Sequence, residues 1–258
     1  YNIVTVNSGG ADDTVDIGNF HDTNSVLDGG DGTDTIRVSE EVNGATEFDN
    51  VTNFEVLGMD VTGADDQDMD FVGDINEVHV LSVDAVTDSI TLSDAASGVK
   101  LVIAGTVGAE DTGTGNNPDL ATATVDLKSD GATDSMTLVL GGTGGEVNLA
   151  DFAPSTSFET VTVESVGTAE NTIQTISTAV RNMSFIGSTD LEVTGTGSLT
   201  GVADFSTMTG DVTVTTDTTA LTVRGGAGDD NINSGAATAA QTISGGAGDD
   251  TITARAVA

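Results

Sequence analysis

Hydrophobic residues along this chain come in short runs that alternate with polar ones, and the runs are separated by clusters of Gly, Asp, Asn and Ser. Alternation with period two is the mark of a strand with one face inward. The runs Val78 to Val83, Val99 to Ile103, Val161 to Glu164, Leu191 to Thr194, Val212 to Thr215 and Leu221 to Val223 are accordingly read as strands. The clusters between them read as turns. Asn171 to Met183 does not alternate cleanly and is expected to be either a short helix or an irregular loop, its β-branched Thr and Ile arguing against the helix. Gly108 to Asp119 reads as an extended loop. With only two prolines, Pro118 and Pro154, strands can stack with few interruptions of their hydrogen-bond ladders.

Self-similarity sharpens this picture. Gly225-Gly226-Ala227-Gly228-Asp229-Asp230-Asn231-Ile232-Asn233 recurs as Gly245-Gly246-Ala247-Gly248-Asp249-Asp250-Thr251-Ile252-Thr253. Near the other end stands Gly29-Gly30-Asp31-Gly32-Thr33-Asp34-Thr35-Ile36-Arg37, preceded by a degenerate copy, Gly9-Gly10-Ala11-Asp12-Asp13-Thr14-Val15, that is one residue short. Both pairs have the same spacing between first glycines, 20 residues. Each pair is therefore expected on one edge of adjacent turns of a coil. Fainter echoes lie between: Asp84 to Leu92 resembles Asp130 to Leu138, and Asn53-Phe54-Glu55-Val56 resembles Ser157-Phe158-Glu159-Thr160. The expected fold is all-β, a parallel β-solenoid (β-helix or β-roll) with glycine–aspartate turns and irregular insertions. Its expected sections are N-terminal turns over 1–44, an irregular body over 45–222 and the C-terminal repeats over 223–258, as one continuous elongated unit.

Composition adds two constraints. The chain of 258 residues carries 42 acidic and 6 basic side chains, a formal net charge of −36. A compact fold so charged repels itself, and divalent cations are the simplest compensation. The same imbalance excludes a basic surface for nucleic acid or for an anionic membrane. Cysteine is absent, which excludes disulfides and thiolate chemistry. No apolar run approaches the ~18 to 20 residues of a membrane helix, so direct membrane insertion is not expected. No signal peptide is visible and the chain starts at Tyr1, which reads as a piece of a longer or processed polypeptide.

The glycine–aspartate pattern suits calcium. That ion takes six to eight hard oxygen ligands in forgiving geometry. Glycines let backbone carbonyls turn toward a shared point, and an Asp just before the strand adds a charged oxygen. One copy supplies half a site, and two copies a turn apart supply a whole one. The repeats at 29–37, 225–233 and 245–253 resemble the RTX (repeats-in-toxin) nonapeptide, Gly-Gly-x-Gly-x-Asp-x-apolar-x. The resemblance implies calcium held in the turns of a β-roll, and export by a one-step type I route with folding on contact with external calcium. By position it implies calcium carboxylates at Asp34, Asp230 and Asp250, and carbonyl donors among Gly29, Asp31, Gly225, Ala227, Gly245 and Ala247. Asp12 and Asp13 of the degenerate copy depart from the pattern, and Asp13 is kept as a further candidate.

Thr-, Val- and Asp-rich rungs with Phe-Glu openings also resemble RTX-type surface-layer proteins, which coat cells with a calcium-dependent lattice. That resemblance implies a secreted structural protein of the cell surface, associating with its own kind through calcium-bridged contacts. Anchoring to a cell-surface polysaccharide would then fall to a region outside this chain. An adhesin stalk or the calcium-binding tail of a secreted hydrolase are the alternatives. Catalytic motifs are missing: the two histidines, His21 and His79, form no zinc helix, and no Gly-x-Ser-x-Gly elbow occurs. The chain is expected not to be an enzyme. Gly141 to Gly145 lacks the Lys and Ser/Thr of a phosphate loop and reads as a tight bend. Asp66, Asp68, Asp70, Asp74 and Glu77 match acidic positions of an EF-hand loop, but Phe71 stands where that loop needs Gly and no flanking helix is expected. Glu110, Asp111 and Asp119 form a further acidic group that could touch calcium.

Overall fold

A computed structural model describes residues 5–18, 25–42, 44, 48–83, 85, 87–104, 120–142, 145–217, 220–235 and 239–254. Strands alternate between two faces of a parallel solenoid. The long sheet has eleven strands in chain order. They are β2 (Thr14–Gly18), β4 (Thr35–Val38), β6 (Val56–Val61), β8 (Glu77–Val83), β10 (Val99–Ile103) and β12 (Ser135–Leu140). It continues with β14 (Thr160–Ser165), β16 (Asn182–Gly187), β18 (Gly201–Met208), β20 (Leu221–Arg224) and β22 (Thr242–Ser244). Preceding the first three strands of the long sheet in turn are β1 (Thr5–Asn7), β3 (Val26–Asp28) and β5 (Val51–Thr52), which form a short sheet of three strands. Nine strands make the second sheet, beginning with β7 (Ala64–Asp68), β9 (Ser89–Ala95), β11 (Leu120–Leu127) and β13 (Asn148–Pro154). Its remaining strands are β15 (Asn171–Ile176), β17 (Leu191–Val193), β19 (Val212–Thr215), β21 (Asn231–Asn233) and β23 (Thr251–Thr253).

Every strand pairing among the described residues is parallel and joins one turn to the next. Thr222 pairs with Thr242 in the long sheet, and Asn231 with Thr251 in the second. Parallel stacking in register puts like positions above one another. Ile36, Leu57, Val78, Leu101, Leu138, Val163 and Phe185 thus form one fully buried column of the long sheet. Ile90, Ala123, Phe152 and Ile176 do the same in the second sheet. The rings of Phe185 and Phe205 stack with centroids 4.1 Å apart. The alternation visible in the sequence is therefore the alternation between this narrow core and solvent.

One expectation needs adjustment. Asn171 to Met183 holds no helix: β15 occupies Asn171–Ile176 and β16 begins at Asn182. Ile173 and Ile176 point into the core, and buried Asn171 ties three segments together: its amide donates to the Leu140 and Val166 carbonyls and accepts from the Val147 N–H. The expected loop 108–119 lies outside the described residues, as do Glu110, Asp111, Asp119 and His21. The only helical turn among the described residues is a short 3-10 helix over Met69–Phe71, capped by the Asp68 carboxylate. No helix among the described residues is long and apolar enough to cross a membrane.

Candidate metal centre

In a two-sided coil, chain enters the long sheet along one edge and leaves it along the other. The N-terminal glycine–aspartate turns, 9–13 and 29–34, lead into β2 and β4 and lie on the entry edge. The C-terminal turns, 225–230 and 245–250, follow β20 and β22 and lie on the exit edge. The structure thus keeps the members of each pair together and places the two pairs on opposite edges.

On the entry edge the Asp13 N–H donates to Asp34 Oδ1 at 2.7 Å, and the Thr33 N–H to Asp12 Oδ1 at 2.8 Å. The Asp34 N–H in turn donates to Glu55 Oε2 of the following turn at 2.8 Å, while the Asp34 carbonyl accepts from Glu55 and Val56. Asp34 is fully buried, and its Oδ2, like Oδ2 of Asp13, is buried without a hydrogen-bond partner. Gly29 has no room for a side chain: a Cβ there would run into the Asn53 carbonyl oxygen and the Asp34 carboxylate. Asp31 is exposed and its N–H donates to the Gly9 carbonyl.

The exit edge repeats the device. The Asp230 N–H donates to Asp250 Oδ1 at 3.1 Å, and the Asp249 N–H to Asp229 Oδ1 at 2.8 Å. Gly225 and Gly245 both lie against the Asp carboxylates of their own turns, and a Cβ on Gly225 would overlap the Gly245 carbonyl oxygen. Ala227 and Ala247 are exposed, their N–H groups bonded to the carbonyls of Met208 and Gly226. Here, however, both oxygens of buried Asp230 accept backbone hydrogen bonds, from Val212 at 3.0 Å and from Gly226 at 2.7 Å. Burial raises the Asp230 carboxyl above its ordinary pKa, the hydrogen bonds from Gly226 and Val212 oppose the rise, and the charges of Asp250 and Asp211 add to it.

Positions 12 and 13 of the degenerate copy therefore play the parts that 229 and 230 play in the full repeat, with the lost residue absorbed by a spacing of 21 in place of 20. Sequence reasoning missed how far the ladders run. On the exit edge Asp211 donates to Asp190 and accepts from Asp229, both at 2.8 Å, although those turns lack the glycine pattern. On the entry edge the Asp134 N–H donates to Glu159 Oε2 at 2.6 Å, and Asp134 Oδ2 accepts from Gly131. This repeats the Asp34–Glu55 arrangement. The signal was present as the two Phe-Glu echoes, each one turn after a Thr-Asp step.

A third grouping brings carboxylate oxygens of Asp68, Asp70 and Asp94 within 4.8 Å of one another. It is not the EF-hand pattern. Asp70 pairs with Lys128, and Glu77 is engaged elsewhere, accepting from Lys100 at 2.9 Å and bonded to His79 at 2.6 Å. His79 is half-buried on the outer side of β8. Gly141 turns with φ 94° at the bend after β12, against the Val166 carbonyl.

Chemically, the entry-edge pair offers two buried carboxylate oxygens without hydrogen-bond partners, the hard-oxygen type of ligand that a divalent cation takes. The exit-edge pair offers carboxylates already tied to backbone, each with lone pairs to spare. Fold and turns together define a two-sided parallel β-solenoid with stacked aspartate ladders. No family model, curated protein or solved structure matches this chain.

Proposed function

We propose that this chain is a calcium-stabilised structural solenoid of an extracellular surface array, a scaffold and not a catalyst. The observation that carries the reading is the pair of buried, unpartnered carboxylate oxygens of Asp13 and Asp34 in stacked glycine–aspartate turns. A buried unpaired charge is strongly unfavourable, and a cation shared by Asp13 and Asp34 removes the penalty while clamping one turn to the next. Calcium suits the site because its ligand number is flexible and its ligands are oxygens. At the scale of the surface, calcium bridges copies whose net charge of −36 would otherwise hold them apart. The RTX-like turns favour export followed by folding in external calcium. Attachment to a cell-surface polysaccharide belongs to a region outside this chain.

Electron microscopy of the purified chain with calcium, and then with a chelator, tests the reading. An ordered lattice that forms with calcium and disperses on chelation is expected. Monodisperse particles in both conditions would remove it.

A further inference from the structure

Charge is not spread evenly over the two faces of the solenoid. Among the described residues, the cations that lie in strands are Arg37, Lys100 and Arg224, all on the outer side of the long sheet. Each is bonded to a carboxylate of a neighbouring strand: Arg37 to Asp60 at 2.7 Å, Lys100 to Glu77 at 2.9 Å and Arg224 to Asp204 at 2.9 Å. Strands of the second sheet carry Asp66, Asp126, Asp151 and Glu192 on their outer side and no Lys or Arg. The long sheet's outer face is thus the broad surface on which another acidic molecule meets least repulsion.

Its charges also have an order. One outward column runs in register through Glu77, Lys100, Thr137, Thr162, Ser184, Asp204 and Arg224. Its signs read minus, plus, three neutral, minus, plus, and the reversed column has the opposite sign at every charged place. From this we infer that a second copy of the chain docks on this face, related by a two-fold axis that runs along β14 at Thr162. The inference rests on the reading of the chain as a self-associating surface component. Reversal about that axis sets Glu77 opposite the partner's Arg224 and Lys100 opposite the partner's Asp204, with Thr137 opposite the partner's Ser184. Such self-complementarity is what an isologous contact requires. Because the strand spacing is the same in both copies, the match holds along the column. The neutral centre is made of short side chains, which lets the longer charged ones at its ends reach across a sheet separation of about 10 Å. One contact is unfavourable: Glu164, two residues beyond Thr162, meets its own copy near the axis, and a bridging cation relieves that pair.

Since the chain has no cysteine, single cysteines report contacts directly. Thr162→Cys sits on the axis, and Thr213→Cys sits on the outer side of β19 in the second sheet. The full chain in calcium is treated with a short bis-maleimide, after circular dichroism has matched each variant to the parent. Cross-linked dimer is expected from Thr162→Cys and not from Thr213→Cys. Adding Arg224→Glu should lower the Thr162→Cys yield on the order of tenfold, and adding Glu164→Gln should raise it in chelator. Equal yields from the two cysteines, a yield indifferent to Arg224→Glu, or no dimer at all would overturn the docking face. Microscopy of the same samples separates the two readings. Cross-linked dimer without lattice removes the array alone, and lattice without a Thr162→Cys cross-link removes this face alone.

Discussion

The behaviour of Asp34 follows from what stands around it: a glycine that cannot become larger, a backbone N–H bonded to one oxygen, and nothing bonded to the other. Asparagine at 34 keeps an acceptor for the Asp13 N–H and removes the buried charge. Asp34→Asn should therefore leave stability in chelator unchanged or higher, and should weaken calcium binding by on the order of tenfold or abolish one site. Calorimetric titration with calcium, beside urea unfolding in chelator, checks both signs, and an unchanged calcium isotherm would remove Asp34 from the site. The glycines make a separate prediction. Gly225→Ala would drive a Cβ into the Gly245 carbonyl, whereas nothing lies within 4 Å of a Cβ at Gly10. Urea unfolding should show a loss of roughly 2 kcal/mol or more for Gly225→Ala and about none for Gly10→Ala.

Among the elements, strands were the most legible part of the chain, because most inward positions are buried and most outward positions are not, with Val56, Val102 and Val139 as buried exceptions on the outer side. The run Val78 to Val83 became β8 and Val99 to Ile103 became β10 for that reason. Asn171 to Met183 misled because buried Asn171 spends its polar groups on three backbone partners, and a polar residue at an inward position breaks the alternation. At the candidate site, the close pairing of the repeats was readable, since equal spacing means equal position on a coil. Their assignment to opposite edges was not, because it depends on the number of strands between them. Glu55 and Glu159 showed only as a repeated Phe-Glu step, and their pairing with Asp34 and Asp134 did not show because the bond crosses a full turn.

The same elements set a pH dependence. In chelator the raised Asp230 carboxyl binds its proton more tightly folded than unfolded. Its contribution is fully present below the ordinary carboxylate pKa and is lost as pH rises through the raised folded value. Glu170 acts alike, raised first by burial and then by Glu192 and Asp190. Glu77 acts the other way: burial would raise it, but hydrogen bonds from His79 and Lys100 hold it lower, so its contribution is lost as pH falls through that lowered value. Thermal unfolding in chelator should thus show stability rising as pH drops from neutral toward the ordinary carboxylate range and falling below it. With calcium present the upper limb should reverse, because protons then compete with the cation. A chelator profile that only declines on acidification would contradict the Asp230 and Glu170 assignments.

For the molecule as a whole, a net charge of −36 can be offset in two distinguishable ways. Screening acts on exposed carboxylates, with a Debye length of about 10 Å at 0.1 M salt, and any monovalent salt supplies it. Asp13 Oδ2 and Asp34 Oδ2 are shut away from solvent and are screened far less. A cation held there, as proposed, must shed most of its water and accept several oxygens at uneven distances. Calcium does this, whereas magnesium demands near-ideal octahedral geometry and holds its water. Starting from chelator at low ionic strength, sodium chloride should raise the unfolding temperature gradually and modestly. Calcium at millimolar concentration should raise it further, magnesium should fall between the two, and Asp34→Asn should bring the calcium response down toward that of magnesium while leaving the sodium response intact. If sodium at matched ionic strength stabilised the chain as much as calcium, general screening would account for the cation dependence and the stacked turns would have no special part in it.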